Sequence, residues 1–69
     1  MRGRKLAKII DKHCEYLRSS GGHRRYRGRH KEFTFAYHDG DDITGNMVRR
    51  VLVEDVGLTE SEARKEVSR

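Results

Sequence analysis

The sequence predicts an α+β fold with the element order α-β-β-β-α-α, in which a three-stranded antiparallel sheet packs on helices. Three features predict it: an amphipathic helical stripe near the N-terminus, three short strand-like segments separated by turns, and two capped helical segments in the second half. A chain of 69 residues allows one small domain with a thin core. We therefore expect residues 1–69 to form a single domain.

The first element is a basic amphipathic helix. Its apolar side chains recur at helical spacing and form one stripe, while the lysines lie outside that stripe. Gly3 is expected to be a flexible lead before the helix, and Cys14 to be packed rather than nucleophilic. The stripe residues are Leu6, Ile9, Ile10, His13 and Cys14.

Three strands are predicted to follow the helix. Residues 15–20 run into a tight turn at Gly21-Gly22, residues 23–27 leave that turn, and residues 33–38 show the clearest alternation of apolar and polar side chains. Alternate side chains of a strand point to opposite faces of the sheet, and one face must be buried against the helices.

The alternation predicts which side chains of the strands share a face. Tyr26 is the apolar anchor of the middle strand and brings Arg24 onto the buried side. The open face should then carry His23, Arg25 and Arg27, joined by His38 according to its parity. Arg24 is expected to lie near the strand end or to extend its charged group to water.

The second half is predicted to be helical. A turn over residues 38–42 precedes a helix capped by Thr44 that runs to about Val56, and Gly57 has the position of a C-terminal cap. A capping box starts a last helix over residues 60–67. The expected buried side chains of the first of these helices are Met47, Val48, Val51, Leu52 and Val56, with Leu58 as a further apolar contact.

The basic charge is concentrated in one half of the chain. The net charge is +5, of which residues 1–31 carry +9 and residues 32–69 carry −4. Such a distribution favours an anionic partner such as nucleic acid over a basic surface kept only for solubility. The densest cluster is Arg24, Arg25, Arg27, Arg29 and Lys31.

Several classes of protein are excluded by composition. No apolar run is long enough for a membrane span, and the N-terminus lacks the apolar segment of a secretory signal. Cys14 is the only cysteine, which fits a reducing cytoplasm, and no ligand pattern for a metal or cofactor is present. We therefore expect a cytoplasmic protein without a metal or cofactor.

His23 is the candidate catalytic residue. It follows two glycines, which let a ligand approach the backbone, and it precedes arginines that can bind phosphate. An imidazole in that setting can remove the proton of a ribose 2′-hydroxyl and so promote RNA cleavage. The alternative, an exposed histidine that touches phosphate or nothing, is favoured by spacing alone. His38 is a candidate auxiliary group, with an ordinary strand-end histidine as its alternative.

The chain resembles the HicA family of toxins, which are mRNA interferases of type II toxin–antitoxin systems. The resemblance covers nearly the whole chain, although Gly22 replaces the usual serine of the family's Gly-Ser-His signature. The matching segments are Lys5-Leu6-Ala7-Lys8-Ile9-Ile10, Arg18, Gly21-Gly22-His23 with Tyr26, Tyr37-His38, and Gly57-Leu58-Thr59.

The resemblance implies a fold similar to a double-stranded RNA-binding domain and a metal-independent endoribonuclease. With it, His23 would be the catalytic residue, and a HicB-type antitoxin would cover the active face. From the residues themselves we expect His23 to be the general base and Gly22, Arg24, Arg25 and Arg27 to bind RNA, with Arg25 and Arg27 holding phosphates. The alternatives from other classes are a non-catalytic RNA-binding module on the same fold and a helix-turn-helix DNA-binding protein over residues 44–67. The glutamates of the last helix argue against the DNA-binding alternative.

Overall fold

The computed structural model describes residues 1–38 and 40–68, and it confirms the α+β class and the predicted order of elements. The three strands form one antiparallel sheet in which they are ordered as in the chain. Asp39, in the predicted turn over residues 38–42, lies outside the described residues. The elements are α1 (Gly3–His13), β1 (Glu15–Ser20), β2 (His23–Arg27), β3 (Glu32–Ala36), α2 (Gly45–Arg50), a π-helical continuation of α2 (Val51–Val56) and α3 (Glu60–Val67).

The hydrophobic core lies between one face of the sheet and the helices. Tyr26 is fully buried at the centre of the sheet, and its ring stacks on that of Phe33 with a centroid distance of 5.7 Å. Burial of a side chain of this size stabilises the fold by about 1.5–3 kcal/mol. The buried apolar cluster contains Leu6, Ala7, Ile9, Ile10, Tyr26, Phe33, Phe35, Val48, Val51, Leu52, Val56, Leu58 and Ala63.

Helix α1 begins at Gly3, so the prediction that Gly3 is a flexible lead was wrong. Gly3 is buried, and a Cβ atom on it would lie 2.8 Å from Cδ2 of Tyr37. The glycine is therefore needed for close packing of the helix on the end of the sheet. The predicted apolar stripe is confirmed, because Leu6 and Ile10 are fully buried.

Strand β1 contains a bulge at Leu17. Tyr16 pairs with Tyr26, but the next pair is Arg18 with Arg25, so Leu17 is an extra residue without a partner on β2. The bulge reverses the parity of the rest of β1. Tyr16 is therefore on the core side of the sheet, whereas Arg18 is on the opposite side.

Strand β3 is shorter than predicted. It ends at Ala36, whereas the alternation predicted a strand through residue 38. Phe33 and Phe35 are buried as expected, and Tyr37 is half-buried beyond the strand end. His38 therefore lies outside the sheet.

The helical second half follows the predicted caps. The Thr44 hydroxyl accepts a hydrogen bond from the backbone N–H of Met47, and Gly57 ends the helix with φ of 90°. The capping box of Thr59 and Glu62 is present at the start of α3. Met47 is 46 % exposed, so its predicted burial was wrong. The change to π-helical geometry after Arg50 was not predicted.

A buried carboxylate joins the first and last helices. Glu66 of α3 is buried and contacts Nε2 of His13 and Nζ of Lys12, the latter at 3.0 Å. The hydrogen bond with His13, followed by that with Lys12, lowers the pKa of the Glu66 carboxyl. His13 is therefore a structural residue. In the part of the chain that the structure describes, no helix is both long and apolar enough to cross a bilayer.

Candidate nucleic-acid interface

One face of the sheet is turned away from the helices, and we call it the open face. It is polar, in contrast to the opposite face, which carries Tyr26, Phe33 and Phe35. By register, the open face consists of Glu15, Arg18 and Ser20 on β1, His23, Arg25 and Arg27 on β2, and Glu32, Thr34 and Ala36 on β3. The predicted placement of His23, Arg25 and Arg27 on this face is confirmed.

His23 is the first residue of β2 and lies at the corner formed by the β1–β2 turn. Ser20 and His23 pair across a two-residue turn, and Gly21 has φ of 61°. A positive φ at the first of two central residues is the requirement of a type II′ hairpin turn. His23 is exposed, and among residues 1–38 and 40–68 no side chain makes a hydrogen bond or ion pair with its imidazole. The ring is therefore accessible to a ligand on the open face.

Arg18 is an open-face residue that the sequence pattern did not predict for this site. The bulge places it directly opposite Arg25, and it is diagonal to His23, which pairs with Ser20. Diagonal neighbours on one face of an antiparallel pair lie within reach of long side chains. Arg18 is exposed, and no carboxylate of the described residues forms an ion pair with it. Without the bulge, Arg18 would lie on the core side.

Arg25 and Arg27 are already paired with acidic groups of neighbouring strands. The Nη1 atom of Arg27 lies 3.0 Å from Glu15, and its Nη2 atom lies 3.5 Å from Glu32. Arg25 donates to the Thr34 hydroxyl at 2.9 Å, and its Nε atom lies 3.5 Å from Glu32. The half of the open face that is far from the turn is therefore partly neutralised.

Arg24 lies on the opposite side of the sheet from these arginines, as predicted. Its Nη1 atom is 3.4 Å from the Tyr26 hydroxyl and 3.9 Å from Asp11, and its guanidinium lies over the ring of Tyr37. Burial raises the pKa of the Tyr26 phenol, so the hydroxyl stays protonated and donates to Asp11 at 2.8 Å. Arg24 is thus held at the margin of the core, close to the Gly21-Gly22 turn.

The structure does not bring His38 onto the open face by strand register. The residue is exposed and follows the end of β3 by two positions. Its backbone N–H donates to the Asp41 carboxylate at 2.9 Å, which forms a turn of the kind predicted for this segment. His38 follows Ala36, the residue of β3 that pairs with His23, by two positions. Its role as an auxiliary group stays a prediction.

Within residues 1–38 and 40–68, Cys14 is not an activated nucleophile and the acidic residues form no metal-binding cluster. Cys14 is half-buried against the core, and burial, assisted by the charge of Asp11, raises the pKa of its thiol to about 11. Such a thiol is a poor nucleophile at neutral pH because little of it is ionised. In the described ranges, no group of three or more His, Cys, Asp or Glu side chains has a metal-binding arrangement.

Comparisons with protein-family models, with curated proteins and with solved structures gave no match. The residues of the open face and the motifs of the sequence are therefore the basis of the proposed function.

Proposed function

We propose that this chain is a metal-independent endoribonuclease with His23 as its general base. The observation that carries the proposal is the exposed imidazole of His23 on the open face, with Arg18 and Arg25 on the same face. His23 removes the 2′-hydroxyl proton of a ribose, and that oxygen attacks the adjacent phosphorus. The bond to the 5′-oxygen breaks, leaving a 2′,3′-cyclic phosphate, and the leaving oxygen takes up a proton.

Arg18 supplies a positive charge on the same face as His23, and no carboxylate of the described residues pairs with it. Arg27 is held by Glu15 and Glu32, whereas Arg18 has no carboxylate partner among the described residues. An unpaired guanidinium binds a phosphate without first breaking an ion pair, and it presents the planar donor geometry that suits phosphate oxygens. Arg25 lies opposite Arg18 and extends the basic surface. His38 is the auxiliary group that we propose for the cleavage reaction.

The biological setting belongs to the same proposal. The resemblance of the helix, of Gly21-Gly22-His23 and of the closing segment to HicA toxins supports a cytoplasmic mRNA interferase. A HicB-type antitoxin would then bind over the open face and block access to His23. The strongly basic N-terminal half of the chain favours RNA as the substrate over a neutral ligand.

The test is the variant His23→Ala, with His30→Ala as a matched control that removes an exposed histidine from the turn after β2. Circular dichroism must first show that both variants fold. Loss of the general base is expected to slow RNA cleavage by about 10²–10⁴-fold, while His30→Ala cleaves like the unchanged protein. The products should carry 2′,3′-cyclic phosphates, and a 2′-deoxy substitution at the cleaved position should stop the reaction. Undiminished cleavage by His23→Ala would refute the assignment.

A non-catalytic RNA-binding module is the second candidate. It is favoured by the lack of a described side chain that orients the His23 ring and by Gly22 in place of the signature serine. Salt-sensitive RNA binding without cleavage by the unchanged protein would select this function.

A further inference from the structure

A depression adjoins the Gly21-Gly22 turn on the side of the sheet opposite His23. It has a volume of about 280 Å³ and is lined by Ser19, Gly21, Gly22, Arg24 and Tyr37. A Cβ atom built on either glycine would meet no atom within 4 Å, so the floor of the pocket is open backbone. We infer that this pocket binds an unpaired nucleobase of RNA, an inference that rests on the proposed function.

Arg24 offers a flat, positively charged surface in this pocket. Its guanidinium carbon lies 5.3 Å from the centroid of the Tyr37 ring, and Tyr37 in turn stacks on Phe35 at 5.5 Å. Bases of single-stranded RNA stack on aromatic rings and on arginine planes. A base over Arg24 would therefore extend a stack that the protein has already ordered.

The contacts of Arg24 favour a base over a phosphate. Its Nη1 atom is directed to the Tyr26 hydroxyl at 3.4 Å, and Asp11 lies 3.9 Å away. The carboxylate of Asp11 partly neutralises the guanidinium and repels a phosphate, while one flat face of the guanidinium remains for stacking. The Ser19 hydroxyl and the glycine backbone supply hydrogen-bonding groups for the edge of the base.

The platform is rigid because its supports are packed. Tyr37 lies directly against Gly3 of α1, since a Cβ there would be 2.8 Å from the Tyr37 ring. Tyr26, which contacts the edge of Arg24, is fully buried. Binding a base on such a surface costs little side-chain entropy.

The pocket and His23 share one corner of the sheet. Gly22 lines the pocket and directly precedes His23, while Arg24 directly follows it. Because successive side chains of a strand point to opposite faces, His23 and Arg24 emerge on the two sides of the same strand end. An RNA strand that crosses the turn can therefore place a phosphodiester at His23 and a neighbouring base on Arg24. Only an unpaired base can enter, so the substrate is single-stranded at this point.

The experiment measures binding of a short labelled single-stranded RNA to chains that carry His23→Ala, so that the RNA stays intact. A series of oligonucleotides replaces one nucleotide at a time by an abasic residue. One abasic position is expected to lower affinity about tenfold, as is Arg24→Lys with the intact RNA. The two changes together should cost no more than either alone. Arg50→Lys, at an exposed position on α2, is the matched control and should bind normally.

Arg24→Lys keeps the positive charge but removes the planar guanidinium on which a base would stack. Unchanged RNA binding by this variant would therefore refute the base-binding pocket. An equal loss at every abasic position would overturn it as well. Gly22→Leu is a second variant that fills the pocket from an unobstructed position, and it should abolish the effect of the abasic nucleotide. A fully paired duplex of the same sequence should be insensitive to Arg24→Lys.

Cleavage by the chain with His23 intact is measured separately. Cleavage without any effect of an abasic nucleotide would support the nuclease and refute the base-binding pocket. An abasic effect without cleavage would support the pocket and refute the nuclease.

Discussion

Arg29 and Glu62 form a two-point ion pair in which Nη1 and Nη2 of the guanidinium each lie 2.7 Å from one carboxylate oxygen. The pair joins the segment after β2 to the first turn of α3. Glu62 also accepts a hydrogen bond from the Thr59 backbone, so one carboxylate serves both the ion pair and the helix cap. The position of α3 is thereby tied to the sheet.

This pair predicts a loss of stability in acid. The hydrogen bonds from Arg29, and then from the Thr59 backbone, lower the pKa of Glu62 from 4.5 to about 2. A carboxyl whose folded pKa is depressed stabilises the fold above its unfolded pKa, and the contribution is lost as the pH falls from 4.5 to about 2. Glu62→Gln keeps a cap but removes the charge. Its free energy of unfolding should be lower at pH 7 and should converge with that of the unchanged protein near pH 2.

Urea unfolding at a series of pH values checks this prediction. Glu54→Gln is a suitable control, because that exposed carboxylate lies 3.9 Å from Arg50 and such pairs contribute little. A constant difference between the unchanged protein and Glu62→Gln at every pH would contradict the proposed role of the charge.

Arg18 and Arg27 should differ in their effect on RNA binding. Arg18→Ala removes a guanidinium with no described carboxylate partner, so the affinity for RNA should fall. The slope of the logarithm of the association constant against the logarithm of the salt concentration should decrease in magnitude by about 1. Arg27→Ala should change the slope less, because Arg27 is neutralised by Glu15 and Glu32. Both variants are compared by titration in the His23→Ala chain. A larger change in slope for Arg27→Ala would show that RNA lies at the other end of the open face.

The two glycines of the turn should respond in opposite ways to alanine. Gly21 has φ of 61°, a conformation that costs an L-residue about 1–2 kcal/mol, so Gly21→Ala should destabilise the fold by that amount. Gly22 has no such φ, and its Cβ would meet no atom within 4 Å. Gly22→Ala should therefore be neutral or stabilise by up to about 1 kcal/mol. Thermal unfolding of the two variants provides the comparison, and equal destabilisation would argue against a type II′ turn.

Cys14 should react slowly with alkylating reagents while the chain is folded. Raising the thiol pKa from 9.0 to about 11 lowers the thiolate fraction at pH 8 about 100-fold. The rate of iodoacetamide modification, followed by mass spectrometry, should rise about 100-fold when urea unfolds the chain. Fast modification of the folded protein would contradict the packed position of Cys14.

Much of the fold could be predicted because local signals agree with it. The bounds of β2 and α3 follow from turn glycines and from a capping box, which act over a few residues. The open face could be predicted for β2 because Tyr26 alone marks the buried side. Cap residues also predicted the ends of the helical second half.

The rest depends on contacts that no local pattern contains. The bulge at Leu17 arises from the pairing of β1 with β2, and residues 15–20 contain no glycine or proline to mark it. Without the bulge Arg18 would lie on the core side, so regular alternation does not predict it on the open face, although the family resemblance includes it as a motif residue. Met47 lies on the helical stripe, yet it is 46 % exposed because none of the described elements covers it. Arg24 as a stacking surface depends on the tertiary placement of Tyr37.

The same bulge has a consequence for self-association. β1 is an outer strand, and a regular outer strand is a template on which another chain can add its own strand. The extra residue at Leu17 interrupts the even spacing of backbone donors and acceptors along that border, and Glu15 and Arg18 place charges on either side of it. The β1–β2 hairpin can thus be exposed for recognition while the outer edge of β1 remains a poor template for strand addition.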